Sequence, residues 1–266
     1  MEKQGVEACI IPTSDCHLSE YTPECFKLRH WLTGFTGSAG TLVVTKERAG
    51  LWTDGRYYLQ AEKELSGSDI ELFYASEKEC MKPEEFLIEN TAEASVVGIC
   101  GRLFSKKELD EIIDALKEKN ISVKSEFNPF VIWKERPQFP DSKAFLADGF
   151  CGETTASKLL RIREKMKEDG VTHYIAAMAD AVMWVLNVRG GDIEYTPVIL
   201  SYLLIGSDFV NFYADEKKFS DEIKAYLKKC EVINITNKKE LIKSEINHAF
   251  IPTKNQDKSE LLLSLL

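Results

Sequence analysis

Three polar residues fall where an α/β protein presents side chains to a ligand. Within Trp52-Thr53-Asp54-Gly55-Arg56-Tyr57-Tyr58, residues Asp54, Gly55 and Arg56 separate an apolar strand pattern from a helical one. The crevice beyond such strand ends is the usual ligand site of open α/β sheets. Arg56 offers a planar fork of donors suited to a carboxylate or a carbonyl oxygen. Asp54 is placed to cap the following helix, and Gly55 to let the backbone turn sharply. The competing reading ties Arg56 to a neighbouring acidic group. Spacing alone leaves the two even.

Other constellations are weaker. Gly34-Phe35-Thr36-Gly37-Ser38-Ala39-Gly40 fits neither Gly-x-Gly-x-x-Gly nor the phosphate loop with its lysine. Ser38 lacks the Gly-x-Ser-x-Gly frame of a nucleophile elbow. The stretch predicts a tight turn feeding a strand over Thr41 to Thr45, and Gly98-Ile99-Cys100-Gly101 is weaker still as a dinucleotide signal. Cys16, His17, Cys25 and His30 are neighbours in sequence, but zinc favours ligands paired two to four residues apart. The four histidines, His17, His30, His173 and His248, are scattered and include no His-Glu-x-x-His. Seven cysteines form no Cys-x-x-Cys pair, which reads as reduced thiols, several of them buried. Trp184, Val185 and Leu186 read as core, and the charged run Glu216 to Lys229 as a solvated face.

The elements that position these residues alternate. Val6 to Ile11, Thr41 to Thr45, Gly50 to Thr53, Ile70 to Tyr74 and Val96 to Ile99 read as strands. Arg56 to Leu65 and Ser105 to Lys119 read as helices, the second opened by Ser105 and Glu108 as a capping box. Such alternation predicts an α/β fold with helices covering a sheet. Arg136-Pro137-Gln138-Phe139-Pro140 is incompatible with a helix and reads as a linker.

The 266 residues carry 34 basic and 43 acidic side chains, a net charge of −9. With no basic stripe, nucleic acid and anionic membrane are poor partners. The apolar runs Ala181 to Val188 and Val198 to Ile205 are too short to span a bilayer. Met1-Glu2-Lys3-Gln4-Gly5 lacks the apolar core of a signal peptide.

Beyond Pro140 the pattern restarts. Met166-Lys167-Glu168-Asp169-Gly170-Val171 echoes Met1-Glu2-Lys3-Gln4-Gly5-Val6, and Trp184 through Gly190 answers Trp31 through Gly37. Ser201 to Leu204 and Asn211 to Tyr213 parallel Thr41 to Val44 and Leu51 to Thr53. The order predicts a duplicated domain. A helix over Ser157 to Glu168 precedes the second copy, whereas the first begins at that helix's last turn. The second junction, Tyr213-Ala214-Asp215-Glu216, holds no arginine, so fold maintenance alone does not demand one.

Several motifs now resemble a known family. Ile10-Ile11-Pro12-Thr13-Ser14-Asp15, His17-Leu18-Ser19-Glu20-Tyr21, Gly34 to Thr41 and Trp52 to Tyr57 resemble the N-terminal part of Xaa-Pro aminopeptidase (aminopeptidase P) in its long, three-domain cytosolic form. The likeness continues through Trp133-Lys134-Glu135-Arg136-Pro137, Trp184 to Asp192 and Pro197 to Tyr202. It implies two tandem creatinase-N-like α/β domains, 1–140 and 141–266, each a mixed sheet covered by helices. A pita-bread catalytic domain, absent from this sequence, would follow. In the family that domain holds two manganese ions and the catalytic histidine, which activate water against the Xaa-Pro amide. The resemblance therefore implies no catalytic residue and no metal ligand in this segment, which is expected to be inactive alone. It further implies a peptide substrate with proline at its second position, a homodimer and a cytoplasmic location. Arg56, as the arginine of Thr53-Asp54-Gly55-Arg56-Tyr57, inherits a substrate contact that no residue of the second repeat shares. Two rivals stay open: a stand-alone non-catalytic peptide-binding or dimerisation module, and the N-terminal part of a prolidase- or creatinase-like enzyme.

Overall fold

Apolar runs that alternate side chains across two faces build a sheet with a core on each side, and the first half of the chain does this. The computed structural model describes residues 1–236. The chain divides into two compact units, Met1–Gln138 and Phe139 onward.

The first unit holds strands β1 (Ala8–Pro12), β2 (Thr41–Val44), β3 (Ala49–Thr53), β4 (Ile70–Tyr74), β5 (Val96–Ile99) and β6 (Ser122–Lys124). Its helices are α1 (Leu28–Thr33), α2 (Tyr58–Glu64), α3 (Pro83–Asn90) and α4 (Lys106–Leu116). The sheet order is β4-β3-β2-β1-β5-β6. The three central strands β1, β2 and β3 pair antiparallel, while β4, β5 and β6 join in parallel through helical crossovers. Cys9, Ile11, Leu42 and Leu51 face Leu28 of α1 and Ala61 of α2, forming one core. Ala8, Ile10, Val43 and Trp52 face Phe86 of α3 and Leu109, Ile112 and Leu116 of α4, forming the other. Each fully buried aliphatic side chain of this kind contributes about 1.5–3 kcal/mol. The capping box forms as read: the Ser105 hydroxyl accepts from Glu108 N at 3.2 Å, and the Glu108 carboxylate accepts from Ser105 N at 2.8 Å. The stiff stretch after Trp133 is anchored, because Arg136 Nε donates to Cys25 O at 2.6 Å and the guanidinium stacks 3.8 Å from the Phe130 ring centre.

The second unit holds β7 (Phe145–Leu146), β8 (Tyr174–Ala176), β9 (Val188–Arg189), β10 (Tyr202–Ile205), β11 (Val210–Tyr213) and β12 (Val232–Thr236). Its helices are α5 (Thr155–Glu168), α6 (Ala179–Leu186) and α7 (Asp221–Lys229). Strands β12-β11-β10-β8 make one sheet, and β7 with β9 makes a two-residue ribbon. Leu159, Val182, Leu186, Ile223 and Leu227 of the three helices pack on Ala176, Leu203, Ile205 and Phe212.

The repeat is shared by four strands of each sheet, while β1 also pairs with β5 and β8 lies at a sheet edge among the described residues. Just as β1, β2 and β3 pair antiparallel and β4 joins in parallel, so β8, β10 and β11 pair antiparallel and β12 joins in parallel. The echoed entry motif is also one structure. Gly5 and Gly170 both adopt φ of 67°, a left-handed conformation that favours glycine, and Val6 N and Val171 N donate back to Met1 O and Met166 O.

Two readings of the second unit are corrected. Trp184 is 44% exposed, whereas Val185 and Leu186 are buried as expected. The α6 turn aims the indole at Lys158, whose ammonium lies 4.4 Å from the ring centre. Nor is the Glu216 to Lys229 run wholly solvated. Lys218 is buried, and its ammonium meets the fully buried Asp192 carboxylate at 2.5 Å. The same carboxylate accepts from the Ser142 hydroxyl at 2.6 Å and Leu200 N at 2.8 Å, which pins the start of the unit to its sheet.

Candidate functional site

The candidate site lies where β3 gives way to α2. Thr53 ends the strand, with its hydroxyl donating to Ala39 O at 2.7 Å. Asp54 then accepts three hydrogen bonds from one residue: Arg56 N at 3.0 Å, Arg56 Nε at 2.9 Å and Arg56 Nη2 at 2.8 Å. The carboxylate holds both the turn and the fork. Charge-assisted bonds of this kind favour both ionised forms. Bonding to Arg56 holds the Asp54 carboxyl below its usual range, and Asp54 pushes the guanidinium further up. The reading that ties Arg56 to a neighbouring acid is therefore realised, yet the arginine side chain remains 66% exposed.

Two expectations about this turn are corrected. Asp54 caps no helix: α2 begins at Tyr58, its N-cap is Tyr57, and that cap has no side-chain bond. The aspartate is spent instead on the Arg56 amide. Gly55 is not among the residues with left-handed φ, and a Cβ there would meet only the Tyr58 ring, at 3.8 Å. The turn does not require glycine for its backbone.

Neighbouring loops brace the turn. Gly55 N donates to the Ser76 hydroxyl at 3.3 Å, and Ser76 N to the Tyr58 hydroxyl at 2.9 Å. The Tyr57 hydroxyl meets Ser38 at 2.7 Å, which ties in the glycine-rich loop. That loop is the tight turn expected, entered through Gly34 at φ 71° as the C-cap of α1. Gly37 lies so close to the Phe35 ring that a Cβ would stand 2.2 Å from it.

Sequence reasoning missed the residue that organises the loop. Arg29 of α1 is buried; it donates to Thr13 Oγ1 at 2.9 Å, to Phe35 O at 2.5 Å and to Gly37 O. Burial pushes its guanidinium down to about 10. Glu64 closes the other side, accepting from Thr36 N and Thr36 Oγ1, each at 2.8 Å. The available signal was a lone arginine among the apolar residues of Leu28-Arg29-His30-Trp31-Leu32. Asp15, fully buried, orders the preceding loop by accepting from His17 N at 2.8 Å and Ser19 N at 3.1 Å.

The clasp leaves an oriented, exposed guanidinium as a hydrogen-bond donor at this junction. Among the described residues, no three His, Cys, Asp or Glu side chains stand together as a metal donor set, and Cys16, His17, Cys25 and His30 form none. His248 lies outside the described residues. Burial pushes the Cys9 thiol up to about 12 and raises Cys25 as well, so these sulfurs are weak nucleophiles.

Comparison with known proteins gives this geometry a context. Two family models, each described as Creatinase/Prolidase N-terminal domain, match residues 1–130 and 135–263. Aminopeptidase P2 of Arabidopsis thaliana is 39% identical over 229 residues, 84% of this chain and 32% of that protein. Xaa-Pro aminopeptidase 1 of Dictyostelium discoideum is 38% identical over 240 residues, 85% of this chain and 38% of that protein. The crystal structure of X-prolyl aminopeptidase from Caenorhabditis elegans, described as a cytosolic enzyme with a di-nuclear active site, matches at a TM-score of 0.86. That match covers 91% of this chain and 40% of that one at 29% identity. The chain thus spans about a third to two fifths of the length of these relatives.

Proposed function

Since the chain belongs to the creatinase/prolidase N-terminal domain family and carries that domain twice, we propose that it is the non-catalytic N-terminal part of a metallo-aminopeptidase. The full-length protein removes an N-terminal residue that precedes proline. The observation that carries this reading is the match of both repeats at once to an X-prolyl aminopeptidase, over nearly the whole chain. Residues 1–140 and 141–266 are its two creatinase-like domains. A single-domain prolidase or creatinase arrangement accounts for only one of them.

In this reading Arg56 is the substrate contact. It is exposed at a braced turn, and a fixed guanidinium there binds an oxygen of the peptide while the scissile end lies elsewhere. The hydrolytic water belongs to a di-manganese centre in the part of the protein beyond this chain. The described residues do not fit that centre, since they offer no clustered carboxylates for a hard divalent ion. Their contribution is to bind and orient. The full-length protein acts in the cytoplasm as a homodimer, with these domains supplying interdomain or dimer surface.

The test compares the full-length protein with residues 1–266, both assayed on Xaa-Pro peptides with and without manganese. Manganese-dependent release of the first residue by the full-length protein alone is expected. Turnover by residues 1–266 well above a metal-free blank would contradict the division of labour. A full-length protein that binds such peptides without cleaving them would favour the stand-alone binding module.

A further inference from the structure

The clasp at Arg56 is one-sided. Asp54 occupies Nε and one hydrogen of Nη2, the inner edge of the fork. The outer edge, Nη1 with the remaining hydrogen of Nη2, points away from that carboxylate and can still grip an oxygen bidentately. The side chain is therefore oriented and, at the same time, neutralised. Glu20 adds a weaker negative field from the loop before α1.

A ligand carboxylate on the outer edge would stand about 4 Å from the guanidinium charge and about 7 Å from the Asp54 carboxylate. With energy falling as 1/r, the repulsion cancels roughly half of the attraction. A peptide carbonyl carries no net charge, so it keeps the hydrogen bond and escapes most of the repulsion. We infer that Asp54 is a specificity-determining residue, setting Arg56 to prefer the neutral carbonyls of a longer peptide over the free carboxylate of a short one. The inference rests on the reading of Arg56 as a substrate contact.

The second repeat shows how to separate Asp54's two roles. There Asp215 accepts from Lys217 N at 3.1 Å without holding a fork, so the turn needs only an acceptor at this position. Asp54→Asn keeps that acceptor and removes the charge. In the full-length protein, kcat/KM would be measured for matched Xaa-Pro and Xaa-Pro-Xaa peptides, each as free acid and as amide. Asp54→Asn should raise the acid-to-amide ratio about threefold to tenfold at low ionic strength. The rise should shrink at about 0.5 M salt, where exposed charges are screened within a few ångströms. An unchanged ratio in a stable Asp54→Asn protein overturns the inference. If that variant melts early, Asp54→Ser, which also retains a short acceptor, decides by the same ratio. Arg56→Ala separates the two layers. Loss of activity on acid and amide alike, with no ratio change in Asp54→Asn, removes only the role of Asp54. Full activity in Arg56→Ala removes the contact itself.

Discussion

The two β3–α2-type junctions share a turn and differ in what the turn carries. Asp54 accepts from Arg56 N at 3.0 Å, and Asp215 accepts from Lys217 N at 3.1 Å. Tyr57 N then donates to Asp54 O at 3.0 Å, and Lys218 N to Asp215 O at 3.1 Å. The backbone solution is common to both repeats, so the acceptor at this position belongs to the fold, whereas the charge facing a guanidinium does not. The clasped guanidinium exists only in the first. A duplicated domain thus carries an internal control: what both copies keep maintains structure, and what one copy adds is a candidate for function.

The same comparison applies to the loops after α1 and α6. Both helices end in a left-handed residue, Gly34 at φ 71° and Asn187 at φ 52°. Both leave carbonyls that need donors. The first repeat uses Arg29 from the same helix, whereas the second uses Lys158 from α5, whose ammonium meets Trp184 O and Asn187 Oδ1, each at 2.6 Å.

The largest effect expected from breaking this comparison is at Arg29. Arg29→Met strands the buried carbonyls of Phe35 and Gly37 and should cost about 2–4 kcal/mol. Amide hydrogen exchange should show the loss of protection in β1 and β2, with β10 and β11 unchanged. A uniform loss across both repeats would show that Arg29 is not local to the glycine-rich loop.

A smaller effect is expected at Glu64. Partial burial pushes its carboxyl up, but the bonds from Thr36 N, the Thr36 hydroxyl and Gln60 outweigh this and hold it below its ordinary 4.5. A carboxylate depressed on folding contributes stability above its unfolded value and loses it as pH falls through the folded one. Glu64→Gln should therefore cost about 1 kcal/mol at neutral pH. Denaturant titrations of the two proteins should converge as pH falls below about 4.5. A gap that persists in acid would assign the effect to packing rather than to the charge.

Much of the fold was legible because its signals are local. Strand alternation marked β2 to β5, and Ser105 with Glu108 marked the start of α4. The echoed Gly5-Val6 and Gly170-Val171 marked the repeat, since only a left-handed residue closes that helix end. What stayed hidden depends on contacts distant in sequence. Arg29 reads as an ordinary helix residue until Phe35 and Gly37 fold back onto it. Lys218 reads as surface until Asp192, 26 positions away, is seen beneath it. Helix α3 was missed because its apolar Phe86-Leu87-Ile88 run is short and shows no extended helical period. At the site, spacing located Arg56 correctly between strand and helix. It could not decide whether Asp54 would cap α2 or clasp the arginine, because both need an acceptor at the same place.

The most direct test of the account sets the two junctions against each other in the full-length protein. Arg56→Ala and its structural counterpart Lys217→Ala would be assayed side by side for kcat/KM on an Xaa-Pro peptide, with melting temperatures recorded. Loss of one charge-assisted substrate contact predicts a fall of roughly tenfold to a hundredfold for Arg56→Ala. Lys217→Ala should leave kcat/KM unchanged, and both proteins should melt with the parent. Equal falls in the two variants, or an undiminished kcat/KM in a stable Arg56→Ala protein, would contradict the account.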